Sequence, residues 1–390
     1  MYFLKHGTVL WPALIMLTAL AGAGCFTAGT EDGAVYADLL DSEARWLAAL
    51  QLPNGAIPMT AGENGAVTVN PYFADLAALG LLEAGAEYFP AVKSYAEWHF
   101  SHLNTAQTDR SGLDATIYDY SVYLTEGRID REEPALIDGK KHYDSADSYA
   151  ATFLSVLSAY HEKSGDAAYI RSRYAEIKRI IGVIFAVLRD GLTIAAPDYP
   201  VKYLYDNAEV YRGLDDAARL FENALTETIP GAAELGERLK TARDTIKLKL
   251  EREMYRAGEA YYEPALALDG SPALTFCWDN FYPSAVAQLS LISSGVLPPE
   301  SRRAEQLYAA FNLYYAAGQP ERDWPGMDIP DPFYWAAIAR TAALMGDTAR
   351  LRTYLDNYRR LTAEGRDYPL YCAEAGHVIR AIAVFRRRKP

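Results

Sequence analysis

Six short stretches of this chain share an opening that gathers carboxyl groups. They are Asn70-Pro-Tyr-Phe-Ala, Asp144-Ser-Ala-Asp-Ser-Tyr, Asp206-Asn-Ala-Glu-Val-Tyr, Asp279-Asn-Phe-Tyr-Pro, Asp331-Pro-Phe-Tyr-Trp and Tyr371-Cys-Ala-Glu-Ala-Gly. Asp144, Asp206, Asp279 and Asp331 stand at the first position, and Asp147, Glu209 and Glu374 three residues further on. On a helix, residues three apart share one face. Two carboxyl groups flanking one bond are what glycoside hydrolysis needs: one protonates the leaving oxygen, the other activates water or attacks. A helix N-terminus favours the ionised carboxylate, which suits a base or nucleophile. Repulsion between close carboxylates can hold one protonated as an acid. Asp147 is therefore expected as base and Glu209 as the first candidate acid.

Each acid also has a structural explanation. The first-position Asp residues are good helix N-caps. The second acids lie one turn inside apolar helices, where a lone charge is costly unless paired. Lys202, Arg212, Arg380 or a neighbouring Tyr can supply the pairing.

The aromatic residues expected to line a cleft are Tyr72, Tyr118, Tyr143, Tyr149, Tyr211, Trp278, Tyr282, Trp324, Tyr334 and Trp335. Each serves a sugar face or a core equally well. Asp114–Tyr120 alternates like a strand inside a long loop and makes Asp119 a third-rank acid. His377 and His142 are the bases available to an epimerase or lyase. His99 and His102 read as surface residues, and Cys277 and Cys372 as free buried thiols. No GxSxG, P-loop, HExxH or zinc-type cluster is present. No cofactor and no metal is expected.

The elements that must position these residues are helices of two kinds. Tyr36–Leu50, Ala91–Leu103, Tyr169–Leu188, Ala232–Tyr255, Ser301–Tyr315 and Thr348–Leu361 have apolar residues at three/four spacing and a charged opposite face. The helices that follow the shared openings are apolar nearly all round, which marks burial on both sides. Openings at 70, 144, 206, 279, 331 and 371 form an irregular internal repeat. Six outer helices alternating with six inner ones predict an all-α (α/α)6 toroid. Returns to the next outer helix are short, as at Gly346-Asp347. Incoming loops are long, as at Asn104–Tyr143 and Tyr255–Trp278. Long loops on one face tend to build a site there, and that face holds the inner-helix N-termini.

Composition sets the outer limits. The chain has 390 residues, 50% hydrophobic and 23% charged, which is globular. A net charge of -13 argues against nucleic acid as a partner, because phosphates need Lys and Arg. Tyr numbers 29, and its flat face and hydroxyl suit a carbohydrate substrate. Residues 1–25 read as an export segment: Lys5, an apolar run from Val9 to Ala23, then Gly22-Ala23-Gly24-Cys25. Small residues before Cys25 resemble a bacterial lipoprotein processing site with Cys25 lipidated. Cleavage after Ala23 and a retained anchor are the alternatives. Residues 26–390 then form one toroid in the cell envelope or outside the cell, with a lipid at Cys25 as its only membrane contact. The Arg386-Arg387-Arg388-Lys389 run reads as a solvated tail.

From Gln51-Leu-Pro-Asn-Gly-Ala-Ile57 to Tyr371-Cys-Ala-Glu-Ala-Gly376 the sequence resembles the six-hairpin glycosidase superfamily. Tyr143-Asp-Ser-Ala-Asp-Ser-Tyr-Ala-Ala151 is partly similar to the inner-helix Asp-x-Asp signature of glycoside hydrolase family 8. Ser145 stands where that signature has its first Asp, so only Asp147 matches. Tyr205-Asp-Asn-Ala-Glu-Val-Tyr211 and Cys277-Trp-Asp-Asn-Phe-Tyr282 look like other inner-helix openings of the superfamily. The resemblance implies a toroid that hydrolyses O-glycosyl bonds of an oligo- or polysaccharide. The same toroid also serves epimerases, lyases and cyclases, and a non-enzymatic glycan-binding lipoprotein is the third reading.

Overall fold

The computed structural model describes residues 36–366 and 368–388. The expected export segment and Cys25 lie outside the described residues. Among the described residues thirteen α-helices follow one another: α1 (Ala37–Leu50), α2 (Pro71–Ala84), α3 (Phe89–Ser101), α4 (Ala146–Ser164), α5 (Ala167–Ser172), α6 (Tyr174–Val187), α7 (Leu204–Leu220), α8 (Ala232–Lys249), α9 (Val286–Ser293), α10 (Arg302–Tyr315), α11 (Ala336–Met345), α12 (Thr348–Glu364) and α13 (Cys372–Arg387).

The predicted two kinds of helix are both present. Outer helix α6 buries Ile177, Ile180, Ile181 and Ile184 on one stripe. Its other face carries Arg179, which pairs with Asp114 at 2.8 Å. Inner helix α4 is buried without a break from Ala146 to Ser158, as an all-round apolar sequence requires.

The six inner helices α2, α4, α7, α9, α11 and α13 each pack on the next, and α13 packs back on α2. This closes an (α/α)6 toroid, wrapped by α1, α3, α6, α8, α10 and α12. The closing contact is backbone against backbone. A Cβ on Gly80 would lie 2.6 Å from Gly376 Cα, and a Cβ on Gly376 would lie 2.3 Å from the Leu76 carbonyl oxygen. Only hydrogen fits in either place. Gly213 meets Ala151 in the same way where α7 crosses α4.

The long incoming loops lie at the N-terminal ends of the inner helices. Strands β1 (Gly65–Val69), β2 (Tyr120–Thr125) and β3 (Arg128–Pro134) form an antiparallel sheet there, with Val67 opposite Val122. The expected strand at Asp114–Tyr120 does not form. Asp109 instead accepts from the Ser111 and Leu113 N–H groups and from Thr116 Oγ1. Those local bonds replace a ladder.

The inner-helix starts also differ from expectation. Asn70 caps α2 by accepting from Phe73 N–H at 3.0 Å. None of the four Asp residues is a cap. α4 starts two residues after Asp144, and Asp206 lies inside the first turn of α7. α9 starts after a wide turn at Phe281–Ala285. α11 starts at Ala336, five residues after Asp331.

Candidate active site

A cavity of about 320 Å³ opens at the N-terminal end of the ring axis. Two walls carry its acids. Asp144, Asp206 and Glu209 come from the approach to α4 and from α7; Asp331 and Glu374 come from the approach to α11 and from α13. In a closed ring of six, α4 faces α11 and α7 faces α13. Tyr72, Tyr149, Tyr205, Tyr282, Phe333, Trp335 and Tyr371 supply most of the remaining surface.

Asp206 and Glu209 are the i, i+3 pair that the sequence placed on one face, and both line the cavity. Glu209 Oε1 accepts from Tyr72 Oη–H at 2.6 Å. Burial is the main force on Glu209 and pushes its carboxyl up to about 8, against the opposing pull of the Tyr72 bond. Burial, then the charges of Asp147 and Asp144, hold Asp206 well above the ordinary Asp range. Glu209 therefore carries a proton at neutral pH.

Glu374 does something the sequence did not foretell. Its Oε1 accepts from Trp335 N–H at 2.8 Å and its Oε2 from Ala336 N–H at 2.6 Å. It caps the neighbouring inner helix. Burial pushes its carboxyl up to about 7 against those donors. The same clamp holds Trp335 at φ +53°, a conformation a bulky residue adopts only under constraint. Asp331, beside it, commits Oδ1 to Phe333 N–H at 2.9 Å.

Asp147 does not face the cavity. It is fully buried behind Ser148, its Oδ1 accepts from Ser148 N–H at 2.9 Å, and its Oδ2 has no partner. Burial pushes it up to about 7. Starting α4 at Ala146 turns the Asp147 side chain away from the axis. Asp279 is exposed and pairs with Arg322 at 2.6 Å, outside the cavity. Asp119 lies behind Tyr149, whose hydroxyl donates to it at 3.0 Å. Burial raises Asp119 to about 7.

Of the expected aromatic residues, Tyr72, Tyr149, Tyr282 and Trp335 line the cavity. Tyr118 and Tyr143 stack on each other in the loop core. Trp324 is buried and donates to Asn312 at 2.9 Å. Trp278 stacks on Tyr314, and Tyr211 and Tyr334 are half-buried elsewhere. Sequence reading missed Tyr205, Phe333 and Tyr371. Each adjoins or belongs to a shared opening, and that adjacency was the available signal.

The ion pairs offered as explanations for the second acids do not form. Lys202 meets Asp190, and Arg212 meets Asp216. His377 lines the cavity with Nδ1 unpartnered, and burial, then Arg380 and Arg340, keep it neutral. His142 also lines the cavity. His99 is no surface residue: it is buried and stacks on Phe153 at 3.5 Å. His102 is half-buried against Trp98 and Glu132. Cys372 is buried as expected, but Cys277 is exposed.

The fold and cavity together define a class: closed (α/α)6 toroids with an acid-lined axial pocket at the inner-helix N-termini. Solved structures of this shape include a glycosidase variant, with TM-score 0.60, 12% identity, and 91% of this chain and 98% of that chain covered. A GH63 mannosylglycerate hydrolase from Thermus thermophilus in complex with glucose matches at TM-score 0.58 and 13% identity, covering 90% of this chain and 100% of that chain. An alpha-amylase from Clostridium perfringens matches at TM-score 0.53 and 9% identity, covering 88% and 97%. At these identities the likeness is one of fold. No family model matches the chain, and no curated protein matches its sequence.

Proposed function

We propose that the protein is a glycoside hydrolase acting in the axial cavity on a small glycoside or the end of an oligosaccharide. One observation carries this reading. Asp206 and Glu209, one turn apart on α7, face a cavity of small-molecule size with both carboxyls held above the ordinary range, across from a second acid-bearing wall. The solved glycosidases that share the fold support it.

Glu209 is the general acid. Its neutral carboxyl accepts from Tyr72 with one oxygen and offers a proton to the leaving oxygen with the other. Asp331 is the base, because it commits one oxygen to backbone while Glu374 commits both. Asp206 sits one turn nearer the mouth and hydrogen-bonds the sugar. Trp335 and Tyr282, 5.3 Å apart, give the ring an apolar face. Trp335 Nε1 is buried without a partner.

The test is product release from a broad panel of glycosides by wild type, Glu209→Gln and Asp206→Asn, each checked by circular dichroism. The reading expects turnover that falls about 10³-fold in folded Glu209→Gln. Glycan binding without turnover in all three would move the assignment to a binding protein.

A second reading rests on His377, neutral, unpartnered at Nδ1 and lining the same cavity. It makes the protein an epimerase or lyase with His377 as base. Activity lost in His377→Ala and kept in Glu209→Gln would select it. The export route and a lipid at Cys25 are part of the same proposal, and failure of fatty-acid labelling in wild type would remove the lipid.

A further inference from the structure

Beneath the floor of the axial cavity lies a second one of about 470 Å³, nearer the C-terminal ends of the inner helices. Leu76, Tyr205, Glu209, Ala337 and His377 line both and form the partition. The cationic side chains of this lower cavity fall into two sets. Lys163 and Arg387 at the mouth share Glu83, at 3.2 and 2.6 Å, and Arg212 pairs with Asp216 at 2.7 Å. Arg340 on α11 and Arg380 on α13 face the same space with no acceptor and no ion pair among the described residues.

Both side chains are half-buried, and guanidinium groups held in a cavity without protein acceptors are costly. Burial, then the charges of Arg380 and Arg212, hold Arg340 down; burial, then the charge of Arg212, lowers Arg380 to about 10. Each fork presents donors in the planar arrangement that matches two oxygens of one oxyanion. Arg340 and Arg380 belong to adjacent inner helices that pack directly on each other, so one small anion can engage both.

We propose that the lower cavity binds a phosphate-class oxyanion, held by Arg340 and Arg380. This does not depend on the hydrolase reading. The phosphate is either free or the terminal group of a phosphorylated sugar, since the cavity has room for a sugar as well. The bound anion shares its cavity with Glu209, whose carboxyl the charge of Arg380 helps to hold down. Neutralising that charge raises Glu209 further and extends its proton-bearing range to higher pH.

The experiment uses the full chain. Inorganic phosphate and glucose 6-phosphate are titrated by calorimetry and thermal shift at constant ionic strength, against wild type, Arg340→Gln and Arg380→Gln. One saturable site in wild type is expected, with each variant weaker by about tenfold or more. Without ligand, both variants should melt at the wild-type temperature or above, because a repelled buried charge has gone. Much tighter binding of glucose 6-phosphate names the phosphorylated sugar as the source, and equal affinity names free phosphate. The proposal is overturned by no saturation up to about 50 mM, by variants that bind like wild type, or by ligand-free variants that melt lower. That last result would mean the arginines serve the fold through internal partners.

Discussion

Replacing Glu209 by Gln should make the protein more stable at neutral pH while it loses turnover. Glu209 titrates at about 8 in the fold against 4.5 for an ordinary Glu, mainly because it is buried. A group whose folded value is raised gives stability that is complete below the unfolded value and is lost as pH climbs through the folded one. For Glu209 that window runs from 4.5 to about 8. At pH 7 the loss is about 3 kcal/mol, and at pH 5 below about 1 kcal/mol. Gln has the same shape, keeps an oxygen for the Tyr72 hydroxyl and does not titrate. The variant should therefore gain about 3 kcal/mol at pH 7 and little at pH 5. For a chain of this length the gain at pH 7 is roughly 4 °C in Tm. The assay is thermal and urea unfolding of both proteins at pH 5, 6, 7 and 8. A difference that does not grow with pH, or a variant less stable at pH 7, refutes the burial argument for Glu209.

Four further outcomes follow from the geometry. Tyr72→Phe removes the hydrogen bond that pulls Glu209 down, so the alkaline limb of the pH–rate profile should move up. Asp147→Asn removes a buried charge that raises Asp206 and Glu209. Its alkaline limb should move down, with kcat kept within about tenfold because Asp147 does not reach the cavity. Glu374→Gln turns an amide N–H toward the Trp335 or Ala336 N–H, and urea unfolding should show a loss of about 1–3 kcal/mol. Gly376→Ala puts a methyl on the Leu76 carbonyl and Ala77 where the ring closes. It should cost about 3 kcal/mol or more, or prevent folding, by the same measurement.

The ring itself was legible in the chain because burial leaves a pattern. Outer helices must keep one polar face and inner helices cannot, so α6 and α4 announce their layers. The Asp206–Glu209 face was legible too, since Leu204–Leu220 is an uninterrupted helix and i, i+3 geometry holds along it. Legibility failed where a helix start depends on another part of the fold. Reading each Asp as an N-cap assumed that α4, α9 and α11 start at their first acid. α11 instead begins where Glu374, almost 40 residues later in the chain, captures two N–H groups. α4 begins late enough to turn Asp147 away from the axis. Sequence spacing records neither event. The aromatic residues failed for a different reason. Tyr118, Tyr143 and Trp324 sit in long loops that carry cores of their own, and a buried loop Tyr has the same local sequence as a sugar-stacking one.

The most direct test of the account is the response of Glu209→Gln to the leaving group. An unactivated glycoside needs a proton on its departing oxygen; a dinitrophenyl glycoside of the same sugar does not. Measured as kcat/KM, Glu209→Gln should lose about 10³-fold on the first and stay within about tenfold of wild type on the second. Equal losses on both substrates, or none on either, would contradict the assignment of Glu209 as the acid of a glycoside-cleaving site.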